Sequence, residues 1–193
     1  MQQNMKRQLG WMVLVFLLPS TFYQAVLVAK TDTKEQPQEL IYEDKFVEVK
    51  IIPRSPEQML AFYEGRGFPV MAKQRIAKAC FFTVIIQNKS NNRLWLDMSQ
   101  WQFGSKDQSL RLDRHFWQQQ WDEIQLAPAY RSTFGWTLLP EERGLFPEEG
   151  VGGNVTLRLH QEAVTWLIEF PTNDNRKGKR YRVPIGPLQC KLK

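Results

Sequence analysis

The sequence predicts a mostly-β fold: an antiparallel β-sandwich with two short helical insertions. Three observations predict it. Apolar residues alternate with polar ones in short segments along most of the chain. Turn-forming clusters separate those segments at intervals that suit sandwich hairpins. Strand and helix signals do not alternate, which argues against a parallel sheet.

The chain has 193 residues and a net charge of +6. Without Lys6 and Arg7, the remainder carries 24 basic residues against 20 acidic ones. That excess is too thin for a nucleic-acid-binding surface on a domain of this size. The hydrophobic fraction of 42% and the seven Trp fit a packed core rather than a disordered chain.

Residues 1–29 read as a signal peptide or N-terminal membrane anchor. Lys6 and Arg7 precede the apolar run at 10–18, and Pro19, Ser20 and Thr21 interrupt it. Residues 10–29 are just long enough to anchor in a membrane. Tyr23 and Leu27 stand where a cleavage site after Ala25 or Ala29 needs a small residue, so both outcomes stay open. Residues 30–44 follow as a polar linker. Residues 45–193 form the β domain. The expected location is periplasmic or secreted, or inner-membrane anchored with the domain outside the cytoplasm.

Within that domain, residues 45–52 give the first strand. Ser55, Pro56 and Gln58 then spell a capping box with Pro at the first helical position, and Gly65 and Gly67 stop the helix. Residues 79–87 (ACFFTVIIQ) are β-branched or aromatic on both faces, the mark of a central strand buried on both sides. Residues 93–98 alternate, with 100–103 as an extension, and 109–112 form a short strand. Residues 113–126 are helical, with Trp117 and Trp121 four apart on one face. Pro128 ends that helix. Residues 133–139 alternate as a strand through Phe134, Trp136 and Leu138. Residues 140–153 are loop. Strands follow at 154–160, 164–170 and 180–185.

The segments TVIIQNKSNNRLWLDMSQWQF, LFPEEGVGGNVTLRL and TWLIEF resemble the telokin-like, immunoglobulin-like domains of bacterial secreted proteins and lipoproteins. Asn88–Lys89–Ser90 matches the turn that ends a strand there. Leu145, Pro147, Glu149, Gly153 and Val155 match the stretch that opens a later hairpin. The resemblance covers roughly residues 45–190. It implies an immunoglobulin-like sandwich in the cell envelope and no chemistry. The two helical segments are additions to that pattern, and the antibody-type cysteine spacing and tyrosine corner are missing.

Motifs of the common catalytic classes are absent: GxSxG, HExxH, a phosphate-binding Gly loop or GxGxxG. Cys80 and Cys190 make no CxxC, and His115 and His160 complete no zinc spacing, so neither a metal site nor a cofactor is expected. In an oxidising compartment the two cysteines read as one disulfide; the alternative is two buried thiols. Glu141, Glu142, Glu148 and Glu149 lack the spacing of a calcium loop. The basic cluster at 176–180 reads as a hairpin tip protecting an edge.

Aromatic clusters give the candidate binding surface: Phe62, Tyr63, Arg66 and Phe68 on a glycine-hinged loop, and Phe116, Trp117 and Trp121 on the second helix, with Trp136 grouped beside them. The competing reading is that both clusters pack onto the sandwich. The expected function is a non-enzymatic binding or accessory domain contacting a protein partner of the cell envelope, with no nucleic acid. Two alternatives remain: a carbohydrate- or metal-handling protein or enzyme whose site assembles from distant residues, and a structural subunit of an envelope assembly.

Overall fold

The computed structural model describes residues 39–104 and 110–190. It is mostly β, with antiparallel sheets and four helices. β1 (Leu40–Glu43), β2 (Val47–Arg54), β3 (Ala79–Asn88) and β7 (Gly150–Arg158) form a four-stranded sheet in the order β1-β2-β3-β7. β4 (Leu94–Asp97) pairs with β6 (Glu142–Leu145). β5 (Gln102–Phe103), β8 (Val164–Phe170) and β9 (Tyr181–Leu188) form a third sheet. α1 (Pro56–Glu64) and α2 (Val70–Ile76) lie between β2 and β3. α3 (Arg114–Glu123) and α4 (Pro128–Thr137) lie between β5 and β6.

The alternation of β3 organises two apolar cores. Cys80, Phe82, Val84 and Ile86 point into the core shared by the three sheets, with Val49 and Ile51 of β2 and Trp166, Ile168 and Phe170 of β8. Ala79 and Phe81 point the other way, into a second core built by Tyr63, Phe68, Ile76, Trp117, Trp121 and Phe134 of the helical layer. The strand is thus buried on both faces over its first half, as its composition predicts. The helices stop short of Ile85, which is 44% exposed.

Local signals explain the first helix. Ser55 Oγ accepts from Gln58 N at 3.3 Å, and Gln58 Oε1 accepts from Ser55 N at 3.0 Å. Gly67 then turns the chain at φ +75. Asp113 caps α3 by accepting from Phe116 N at 2.8 Å.

Several expectations are corrected. Residues 40–43, assigned to the polar linker, form β1 and pair with β2 from Leu40↔Ile51 to Glu43↔Glu48. Pro128 does not close a helix before a strand; it opens α4, and Phe134 and Trp136 lie on that helix. The insertions comprise four helices rather than two. Part of the loop at 140–153 is strand, as β6 and the start of β7. At 109–112, only a single bridge from Arg111 to Leu157 is formed among the described residues. The proposed leader and anchor at 1–29 lie outside the described residues, among which no helix is long and apolar enough to cross a membrane.

Gly153 is a close-approach position. A Cβ there would sit 2.5 Å from Leu139 N and 2.6 Å from Leu139 Cα. Both are backbone atoms where the chain leaving α4 crosses β7, so no side-chain rotation relieves the clash. Gly153→Ala is expected to lower stability by about 2–3 kcal/mol, read as a drop in urea midpoint.

Candidate functional site

The outer edge of β7 begins the site. Alternate residues of an antiparallel strand turn their N–H and C=O to the same side. Asn154 O accepts from Leu139 N at 3.0 Å, Thr156 O accepts from Leu112 N at 2.9 Å, and Arg158 N donates to Leu110 O at 2.7 Å. These three residues therefore face away from β3. By the same parity, so does Gly152, yet β7 is the last strand of its sheet on this side and, among the described residues, no strand continues the ladder there.

A groove of about 870 Å³ opens at that point. Gly152 and Val151 form one wall, the outward rims of α3 and α4 another, and Pro140 and Arg143 the floor leading into β6. Trp136 stands at its margin, 87% exposed, the most exposed large apolar side chain among the described residues. Leaving an indole in water forfeits the stabilisation that burial would give, so its position is informative where a scattered exposed Leu would not be.

Arginines set the electrostatics. Arg114, Arg131 and Arg143 line the groove against one carboxylate, Asp122. Arg114 donates to the Leu138 and Leu139 carbonyls at 3.3 and 3.4 Å. Arg131 holds the end of α3 through Asp122 and through the Trp121 carbonyl at 3.1 Å. Arg143 meets Glu149 at 2.6 Å. The Phe146 backbone N–H, then Arg143, hold the Glu149 carboxyl below its usual range. These contacts fix the guanidinium groups in place, each beside a carboxylate, with Arg114 4.0 Å from Glu141.

The seven aromatic-cluster candidates divide by burial. Tyr63, Phe68, Trp117 and Trp121 belong to the core of the helical layer. Burial pushes the Tyr63 phenol up to about 12, and its hydroxyl hydrogen-bonds Thr137 Oγ1 at 2.8 Å. Phe116 packs at 5.4 Å against Trp117, half-buried. Phe62 and Arg66 reach the surface, with the guanidinium stacked 3.4 Å over the ring. They share a shallow hollow with the far side of Trp136. The sequence groups Trp136 with Phe116, Trp117 and Trp121, but its alternation with Phe134 and Leu138 reads as a strand rather than the helix that carries it. Sequence reasoning missed the arginines because nothing in their spacing connects them.

Other candidates are engaged structurally. Glu141 pairs with Arg111, Glu142 with Arg176 and Glu149 with Arg143, which leaves no cluster of unpaired carboxylates there. Arg176 also stacks 3.9 Å from the centre of the Trp95 ring. Cys80 and Cys190 stand at disulfide distance, with Cα atoms 5.4 Å apart. Comparison with protein-family models, curated proteins and solved structures gives no match for this chain.

Proposed function

We propose that the chain is a non-enzymatic binding domain of the cell envelope, an immunoglobulin-like sandwich carrying a helical layer, that holds an extended segment of a protein partner in the groove beside β7. The observation that carries the reading is Trp136, exposed at the margin of a groove whose wall is an unpaired strand edge. A strand added at Gly152 gains main-chain hydrogen bonds, while an indole beside it supplies an anchor. The guanidinium groups of Arg114, Arg131 and Arg143 line the groove as N–H donors for an acidic side chain that the segment places next to its apolar one. The envelope location is supported by the basic-then-apolar N-terminus and by the cysteine pair at disulfide distance.

The test places a photo-crosslinking residue at position 152 and recovers partners from detergent-solubilised envelopes. One dominant protein adduct is expected. Trp136→Ala should weaken its binding at least tenfold while leaving the urea midpoint unchanged, because the ring is exposed. Adducts indistinguishable from background, or binding indifferent to Trp136→Ala, would overturn the reading. The exposed indole also suits stacking on a sugar ring. Glycan binding that disappears with Trp136→Ala, without any protein adduct, would establish that second reading instead.

A further inference from the structure

The two cysteines have a third neighbour that their sequence positions conceal. Cys80 is the second residue of β3, Cys190 lies two residues beyond β9, and His160 lies two residues beyond β7. Pairing of Cys80 with Leu157 brings the end of β7 over the start of β3, and the chain leaving β9 reaches the same place. One ligand atom from each of Cys80, His160 and Cys190 lies within 4.8 Å of the others.

We infer that, when its cysteines are reduced, this protein binds a zinc ion on Cys80, Cys190 and His160. Two thiolates and an imidazole are the donor set zinc prefers, and the two negative charges balance the ion. Tetrahedral coordination at zinc–sulfur and zinc–nitrogen distances of about 2.3 and 2.0–2.1 Å sets ligand atoms roughly 3.5–3.8 Å apart. His160 Nδ1 lies 3.3 Å from Cys190 Sγ and 3.8 Å from Cys80 Sγ, and Nε2 lies 3.9 Å from Cys190 Sγ. To coordinate, the two sulfurs must separate by rotation about their own Cα–Cβ bonds and the ring must turn Nε2 toward them.

The imidazole also has a backbone partner of the kind that supports a metal-binding histidine. Nδ1 lies 2.8 Å from the Arg158 carbonyl. With Nδ1–H donating to that oxygen, the Nε2 lone pair is left for a metal, the backbone-carbonyl arrangement that supports histidine ligands. A cleft of about 710 Å³ lined by His160, Gln161 and Glu162 opens beside the imidazole.

Disulfide and zinc are alternative states of the same two sulfurs. A dithiol reductant transfers two electrons and two protons to the Cys80–Cys190 bond and becomes a disulfide itself. Zinc then displaces the two thiol protons to solvent and takes up both thiolates. The site goes beyond the proposed partner groove and does not depend on it.

The full chain in detergent, reduced with a phosphine and desalted anaerobically, is titrated with cobalt(II) as a spectroscopic stand-in and then with zinc. The expected result is one ion per chain, with tetrahedral cobalt bands and thiolate-to-cobalt charge transfer that zinc abolishes. His160→Ala should weaken binding at least tenfold. That variant retains both cysteines, so its oxidised form, with an unchanged urea midpoint, verifies that it folds. Substoichiometric uptake by the reduced protein, or affinity unchanged by His160→Ala, would overturn the assignment.

Discussion

Reducing and alkylating Cys80 and Cys190 in chelator-containing buffer is expected to lower the unfolding free energy by about 4–5 kcal/mol. The effect comes mainly from the unfolded chain. The bond joins residues 110 apart, so breaking it releases most of the domain from a single closed loop. In the chain-entropy model a 100-residue loop contributes about 4.7 kcal/mol. Domains of this size are stable by roughly 5–15 kcal/mol, so the loss takes a large share of the total. The expected fall in Tm is about 10–15 °C, at roughly 2–4 °C per kcal/mol for 150–250 residues. Cys190→Ala should reproduce the shift with a small further loss, since Cys190 is buried in the core of the three sheets. The chelator matters before alkylation is complete, because zinc on the freed thiolates would shield them from the reagent. An unchanged midpoint after verified alkylation would mean that native-state strain cancels the entropic gain.

Local chemistry was legible in the sequence and long-range convergence was not. The capping box at Ser55 and Gln58 and the double-faced character of β3 are each written within ten residues of chain, and each forms. Residues 128–138 carry two periodicities at once. Phe134, Trp136 and Leu138 alternate like a strand, while Tyr130, Phe134 and Leu138 recur every four residues like a helix. Packing decides in favour of the second: Phe134 meets Trp117 and Tyr63, and Tyr130 meets Phe68, which rotates Trp136 out to solvent. β1 was hidden for a different reason. It is four residues long and gains its order from β2, so composition alone places it with the linker. The candidate sites are the least legible part. Arg114, Arg143 and Gly152 meet only because α3, β6 and β7 do, and His160 meets Cys190 only because two strand ends converge.

Trp117→Ala should cost about 3–5 kcal/mol, the largest loss expected from one side chain of the helical layer. The ring is 2% exposed and stands where the layer meets the sheet. It stacks on Trp121 at 5.1 Å, packs on Phe134 at 4.7 Å and reaches Phe81 of β3 at 6.2 Å. Its Nε1–H donates to Thr156 Oγ1 at 2.9 Å, and that hydroxyl donates to the Leu112 carbonyl at 2.7 Å, joining α3 to β7 through buried groups. Alanine removes the ring, leaves a cavity among four aromatics and strips Thr156 of a donor. Trp117→Phe keeps most of the volume and isolates the hydrogen bond, with an expected loss of about 1–2 kcal/mol. Urea titrations of the two variants separate packing from polar pairing. Equal losses would mean that the indole N–H dominates, and a loss below about 1 kcal/mol for alanine would mean that the layer is not anchored through this ring. Trp136→Ala is the internal contrast. It makes the same substitution of the same residue type in the same layer, yet the exposed ring predicts unchanged stability and lost binding, whereas Trp117→Ala loosens α3 and α4 and so disorders the groove that Trp136 borders.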